Sequence, residues 1–318
     1  MKTKSISFLI GLFAILVISS CKKADDSIQL DPEVQQFNSD ANSYKSELDQ
    51  ADNDINNFVS NSSLGQTGSG SSGSSALCGV IIDTSKISQK IITFIFDGVT
   101  PCFSPSRTRG GKIIVELTTG NRWGDAGSVL TQTFVDYKIT RLKDNKSIMF
   151  NGVKTYKNIN GNNWLGFIFG LVRLKYQERA IGIAVTFDNN KSATWNSART
   201  TEWQYVPATT NPAIPYAHVI FTAKGDTAIN TYTHVDSWGV NRFSSNFTTY
   251  YNTPILSNTY CGLWRFNSGE LVHHVNNTDF TITLGLDQSG NPTPYTCAYG
   301  FKVTWTSANK NGSVILSY

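Results

Sequence analysis

Ile92-Thr93-Phe94-Ile95-Phe96-Asp97 decides how the chain reads, because β-branched and aromatic residues fill the run and an acid closes it. Such a composition fits a pleated, half-buried strand. The pattern returns near the other end of the chain, where Ile282-Thr283-Leu284-Gly285-Leu286-Asp287 repeats both the alternation and the terminal acid. Cys78-Gly79 precedes the first copy and Cys261-Gly262 the second. Asp97 lies 15 residues before Lys112, and Asp287 lies 15 before Lys302. A proline-bearing loop with a second cysteine, Cys102 or Cys297, fills each interval, and each lysine opens a new strand. One hairpin module is therefore expected near both ends of a β domain.

Between the two copies the same grammar continues. Lys112 to Thr118, Ser128 to Ile139, Ser147 to Lys157, Gly182 to Phe187, Ser192 to Val206, Ala217 to Ala223, Ile229 to Ser237 and Phe301 to Thr306 read as strands. Turns are expected at Asp144-Asn145, Asn151-Gly152, Asn160-Gly161, Asp188-Asn189-Asn190, Ser289-Gly290 and Asn311-Gly312. No segment of residues 77–318 has helical periodicity, which excludes a parallel β-α-β architecture. The fold class is all-β: an antiparallel β-sandwich or open barrel. Asn163 to Leu174 is densely apolar but too short to span a bilayer, and its glycines point to a buried strand or a broken loop.

Upstream, residues 31–60 form one helix. Asp31-Pro32-Glu33 supplies a cap, a proline at the first helical position and an acid in the first turn. Val34, Ala41, Leu48 and Ile55 recur every seven residues, with Phe37, Tyr44, Ala51 and Phe58 three positions after each. This single apolar stripe makes an amphipathic helix that packs on the body or pairs with another chain. Residues 61–76 are dominated by Ser and Gly and read as a flexible linker.

Lys2 and Lys4, an apolar run from Ile6 to Ile18, and Ser19-Ser20 before Cys21 describe a secretory signal over residues 1–20. A cysteine after small residues at the cut point resembles the bacterial lipobox, in which that cysteine becomes the acylated N-terminus. Lys22, Lys23, Asp25 and Asp26, within the tether 21–30, resemble the surface-export signal of Bacteroidota lipoproteins. With Cys21 assigned to lipid, Cys78, Cys102, Cys261 and Cys297 remain as an even set, and an oxidising compartment implies two disulfides. Three connectivities are open, and the echoed module selects Cys78 with Cys102 and Cys261 with Cys297. No C-x-x-C spacing is present and no histidine falls near these cysteines, so no metal is expected.

Charge is divided along the chain. Residues 21–60 hold nine acids and three bases, whereas residues 61–318 hold 14 acids and 22 bases, giving −6 against +8. An acidic stalk joined to a basic body favours anionic partners, but the basic charge is too dilute for nucleic acid.

Phe96-Asp97 through Cys102, Ser106-Arg107-Thr108-Arg109-Gly110-Gly111-Lys112-Ile113-Ile114-Val115, Asp125-Ala126-Gly127-Ser128-Val129 and the Trp195 to Trp203 segment with Arg199 resemble a family of uncharacterised Bacteroidota surface lipoproteins with an all-β body. The likeness covers most of Cys78 to Lys302. It implies no activity, cofactor or catalytic residue. The acid and glycine usual in that family before the first arginine are replaced here by Pro105-Ser106.

A hydrolytic triad lacks its Gly-x-Ser-x-Gly elbow in the body, and His273-His274 lies in a polar stretch that reads as an exposed loop. Paired carboxylates for glycoside hydrolysis have few candidates, since Asp97, Asp144, Asp188 and Asp287 sit where Asp serves local turns. Trp264 and Trp305 belong to the echoed module and are expected in the core, whereas Trp123 lies in a glycine-flanked loop and is expected to be exposed. Arg107, Arg109 and Lys112 are the one compact basic group. With Trp123 they are either an anion and sugar site or a solvated loop. The sequence thus predicts a surface-displayed outer-membrane lipoprotein with a noncatalytic binding or structural role. Its expected partners are the membrane, through the lipid anchor, and an extracellular glycan or protein, with acidic glycans foremost. A secreted polysaccharide hydrolase is the alternative. No cofactor is expected.

Overall fold

The computed structural model describes residues 32–62, 64, 77–102, 106–163, 166–167, 173–208, 210, 216–294, 296–306 and 311–318. The signal peptide 1–20, Cys21 with its tether 21–30, the Asp31 cap, most of the 61–76 linker and most of Asn163 to Leu174 lie outside the described residues.

One helix, α1 (Pro32–Asn61), precedes fifteen strands among the described residues. These are β1 (Val80–Asp83), β2 (Ile91–Asp97), β3 (Arg107–Thr119), β4 (Val129–Arg141), β5 (Ser147–Asn158), β6 (Leu174–Phe187), β7 (Ser192–Val206), β8 (His218–Gly225), β9 (Thr227–Ile229), β10 (Tyr232–Val240), β11 (Asn246–Asn258), β12 (Phe266–Val275), β13 (Thr278–Leu286), β14 (Gly300–Thr306) and β15 (Asn311–Ser317). All pairings are antiparallel, within one sheet of order β1-β2-β3-β4-β5-β6-β7-β10-β11-β12-β13-β14-β15, with β8 bridging β7 and β11 and β9 on β10. The sheet's path ends on β1 and β15, so it is one continuous, unclosed sheet, barrel-like or sandwich-like in architecture. The all-β class holds, and so does the single helix before it.

A line of bulges bends the sheet. Register slips between Gly110 and Lys112, Phe134 and Tyr137, Asn151 and Lys154, and Ala180 and Ile183, in successive strand pairs from β3 to β7. Each bulge kinks its strand and strengthens the local twist. Gly111 (φ +81°) has to be glycine, because a Cβ there would sit 2.0 Å from the Asp136 carbonyl oxygen. Asn151-Gly152 belongs to this line and is not a turn: Gly152 (φ +139°) lies inside β5, and Asn151 Oδ1 accepts from the Asp136 backbone N–H at 2.8 Å. Asn311-Gly312 likewise opens β15 rather than turning the chain.

The bent sheet closes around α1. Glu47 and Asp49 are two positions apart and so point to opposite flanks of the helix, yet Glu47 pairs with Arg107 on β3 and Asp49 with Arg199 on β7. Four strand spacings separate β3 from β7, about 19 Å along a flat sheet, so both flanks must curl up to reach the helix. Phe37, Tyr44, Leu48, Ala51, Ile55 and Val59 are buried in one core with residues of β2 to β7, joined by Phe247 of β11 and Val275 of β12. Tyr44 stacks on Trp195 at 4.6 Å between ring centroids, and Phe58 meets the edge of Phe94 at 5.5 Å. From Gln36 onward, Ser39, Asn42, Ser46, Asp49, Asn53, Asn57 and Asn61 stay exposed, a narrow stripe along one side of the helix. The helix is the filling of the sheet, not a stalk below it.

The strands define two ends. One carries the β4–β5, β6–β7, β10–β11 and β12–β13 turns, and the start of α1 lies there, with Asp40 bound to Arg242 in the β10–β11 turn. The other carries the β3–β4, β7–β8, β11–β12 and β13–β14 connections, and Asn56 meets Trp123 there. Disulfides join Cys78 to Cys102 and Cys261 to Cys297, as the echoed module predicts. The echoed acids do the same local work: Asp97 accepts the Val99 and Thr100 backbone N–H groups at 2.9 Å each, and Asp287 accepts those of Ser289 (2.8 Å) and Asn291 (2.9 Å). The Thr100 hydroxyl, with these backbone donors, holds Asp97 below its ordinary value, and the Asn291 and Ser289 donors hold Asp287 below its own.

Candidate functional site

Five acids of α1 meet five bases of the body. Asp40 takes a two-pronged bond from Arg242, 2.6 Å on each oxygen, and the Arg242 guanidinium also lies 3.7 Å over the Phe187 ring. Glu47 pairs with Arg107, Asp49 with Arg199 (3.0 Å), Asp52 with Lys154 (2.6 Å to each oxygen) and Asp54 with Arg109 (2.6 Å). Five of the nine acids of residues 21–60 are therefore matched inside the molecule by five of the body's 22 bases.

This geometry corrects the anion site expected at Arg107, Arg109, Lys112 and Trp123. Arg109 is 2% exposed, held by Asp54 and stacked 4.7 Å from the Phe96 ring centroid. Trp123 is 0% exposed, donating its ring N–H to Asn56 Oδ1 at 2.6 Å and packing on Tyr156 and Tyr176. Arg107 and Arg109 do share a face, but that face looks at the helix. Lys112, beyond the Gly111 bulge, is exposed on the outside. The tryptophan readings reverse as well for Trp264, which is 60% exposed, while Trp305 is buried as expected. His273 and His274 lie in β12 rather than in a loop.

The cavity that α1 leaves open lies on its other flank, against the last third of the sheet. A cleft of about 680 Å³ has a floor of Ile255, Phe266, Leu271, Ile282, Leu284, Phe301 and Tyr318, from β11 to the C-terminus. Its charged wall holds Lys45 and Asp49 from α1, Glu178 from β6, Arg199 from β7 and Asp236 from β10. A smaller hollow of about 310 Å³ continues toward β8 and shares Lys45, Asp49, Glu178, Arg199, Ile255 and Phe266 with the first.

Arg199 organises the wall. Its Nη2 donates to Asp49 Oδ1 and Glu178 Oε2 at 3.0 Å each, and its Nε lies 3.8 Å from Asp236 Oδ1. Ser197 donates to the other Glu178 oxygen at 3.0 Å. Burial alone would raise the Glu178 carboxyl, but Arg199 and Lys154 hold it down to about 2. Burial pushes Asp52 up to about 6 against the pull of Lys154. Burial also raises Asp236 and lowers Lys45, the latter helped by Arg199. On β12, burial and Lys45 hold the His273 ring down to about 4.

Asp49, Asp52 and Glu178 bring carboxylate oxygens within 4.8 Å of one another, a spacing a metal ion would fit. Lys154 and Arg199 already neutralise these oxygens. Comparison with protein families, characterised proteins and solved structures finds no match to this chain.

Proposed function

We propose that this chain is an outer-membrane lipoprotein, acylated at Cys21 and displayed at the cell surface, whose body holds a small amphipathic ligand without altering it. The anchor rests on Ser19-Ser20-Cys21 behind an apolar run and on the charged residues that follow. The observation that carries the binding role is the cleft beside α1: a concave site with an apolar floor and a few convergent polar groups, in the size range of small-molecule sites. An apolar ligand body would lie on Leu271, Ile282 and Phe301, with its polar end at Lys45, Arg199 and Asp236. Three bases (Lys45, Arg141, Arg199) and three acids (Asp49, Glu178, Asp236) line this cleft. That balance suits an uncharged polar end, such as a hydroxyl or amide, better than an anion.

The alternative, a polysaccharide hydrolase, would use two carboxyls whose environments set them apart, and Asp52 and Glu178 come nearest to that pattern. Both oxygens of each are bound by neighbouring side chains, however, which favours binding over hydrolysis.

The test has two arms. Cys21→Ala is expected to move the protein out of the membrane fraction, and retention there would place the anchor elsewhere. For the cleft, the neutral apolar probe N-phenyl-1-naphthylamine is expected to bind saturably with a rise in fluorescence. Leu271→Trp, which fills the floor, is expected to remove that rise. Absence of uptake, or uptake unchanged in a folded Leu271→Trp variant, would end the cleft reading.

A further inference from the structure

A second candidate surface lies at the end of the sheet away from the start of α1. The β11–β12 connection there carries Tyr260 and Trp264, the segment before β8 carries Tyr216, and the β13–β14 connection carries Tyr299. All four rings are exposed, Tyr216 at 64%. Such a concentration is unusual, because flat amphipathic rings in a β domain ordinarily fill its core.

These rings are held in place. The Cys261–Cys297 disulfide ties the β11–β12 and β13–β14 connections together, between Tyr260 and Trp264 on one side and beside Tyr299 on the other. Gly262 (φ +87°) lets the Trp264 ring fold over the turn, since a Cβ there would come within 2.8 Å of the indole nitrogen. Tyr216 and Tyr260 lie nearly parallel, 6.1 Å between ring centroids.

Arg265 is the polar partner. Its guanidinium lies 4.6 Å from the Trp264 ring centroid and so covers one face of the indole. Its Nε is buried without a hydrogen-bond partner, and among the described residues the guanidinium is in no salt bridge. It also lines a hollow of about 460 Å³ with Asp287, Gln288, Thr293, Thr296 and Tyr299. Hydroxyl and amide groups of Gln288, Thr293, Thr296, Tyr299 and Ser317 line this hollow beside Cys297 and Ala298. The Asp287 carboxylate is turned into its own loop by Ser289 and Asn291. An unclaimed guanidinium fork matches a carboxylate in geometry and charge, while the free rings and the hydroxyl-rich hollow match a sugar.

We propose that Tyr216, Tyr260, Trp264, Tyr299 and Arg265 form a binding site for an acidic carbohydrate, with Arg265 taking the sugar carboxylate and Trp264 stacking on a ring. The site is separate from the cleft beside α1 and does not depend on it. It lies at the opposite end of the sheet from the start of α1.

The test uses the full mature chain, with Cys21→Ala for solubility, titrated calorimetrically with oligogalacturonates, sialylated oligosaccharides and neutral galactans of matching length. Binding of at least one acidic ligand is expected, weakening as salt rises. Arg265→Gln is expected to weaken it roughly tenfold or more, the scale of a charged hydrogen bond. Trp264→Ala, at an exposed position, is expected to weaken it several-fold with thermal unfolding unchanged. Equal affinity for neutral and acidic chains would overturn the role of Arg265. Failure of every acidic ligand to bind would overturn the site. Concentration-dependent dimerisation that Trp264→Ala abolishes would also overturn it, by making a second copy of the chain the occupant.

Discussion

The concave face of this one sheet is treated in two ways. From β2 to β7 it is filled by α1, with a large shared core and buried ion pairs at Asp52–Lys154 and Asp54–Arg109. From β11 to β14 it has two small apolar clusters, one around Tyr251, Ile255 and Leu284 and one of Phe280, Val303 and Trp305, and the rest is half-buried wall around an open cleft. Both regions are antiparallel strands of similar composition. The difference lies in what covers them, and it separates the part of the sheet that stabilises the fold from the part free to hold something else.

The largest effect that would test this contrast comes from deleting residues 32–61. Without α1 the core of β2 to β7 opens, and Arg109 and Lys154 lose their carboxylate partners, a loss of several kcal/mol for each uncompensated charge. The shortened chain is expected to show no cooperative thermal transition, and a synthetic peptide of residues 32–61 is expected to restore one. A helix-less chain that melts cooperatively would make α1 an accessory.

Single substitutions sharpen the contrast. Leu48→Ala, in the filled half, is expected to cost about 2–5 kcal/mol by urea denaturation. Phe301→Ala, on the half-buried floor of the cleft, is expected to cost no more than about 2 kcal/mol, because that side chain is only partly removed from water. Equal losses would mean the two halves share one core.

The smallest effect is in pH dependence, where the two halves oppose each other. Unfolded, His273 accepts a proton near 6.5, but in the fold only near about 4. Between these values the unfolded chain binds more protons, so His273 lowers stability as pH falls through that window. Asp52, on α1, is raised from 3.8 to about 6, so there the folded chain binds more protons and stability rises as pH falls from 6 toward 4. His273→Gln is therefore expected to gain stability between pH 6 and pH 4 relative to the parent, and Asp52→Asn to lose it. Superimposable pH curves for the two variants would refute both assignments.

Much of the fold is legible in the sequence where a local rule governs it. The alternation in β4, β5 and β7, the heptad spacing of α1 and the cysteines of the echoed module each depend on neighbours a few dozen residues away at most. β11 and β12 escape such a reading, since Asn252 and Pro254 interrupt one and Ser268, Gly269 and Glu270 make the other look polar. The site is less legible still. Arg109 reads as a loop cation until it meets Asp54, 55 residues upstream, and Arg242 meets Asp40 across 202 residues. Trp123 sits among glycines and acids that signal a surface loop, yet Asn56 and two tyrosines enclose it. The one sequence signal for this pairing is the division of charge between residues 21–60 and the rest, which fits internal complementarity as well as an external partner.

The order of strands in the sheet has a consequence for how the molecule comes into being. From β1 to β7, and again from β10 to β15, neighbours in the chain are neighbours in the sheet. A chain delivered N-terminus first therefore presents α1 before any strand. Each later strand, apart from the three-residue β9, then meets a partner that has already arrived. The sheet can be laid down around its own mandrel, one strand at a time, with few long loops to close and little edge left waiting. The last of the five ion pairs on the helix is made by Arg242, once β10 has passed and its turn swings onto Asp40.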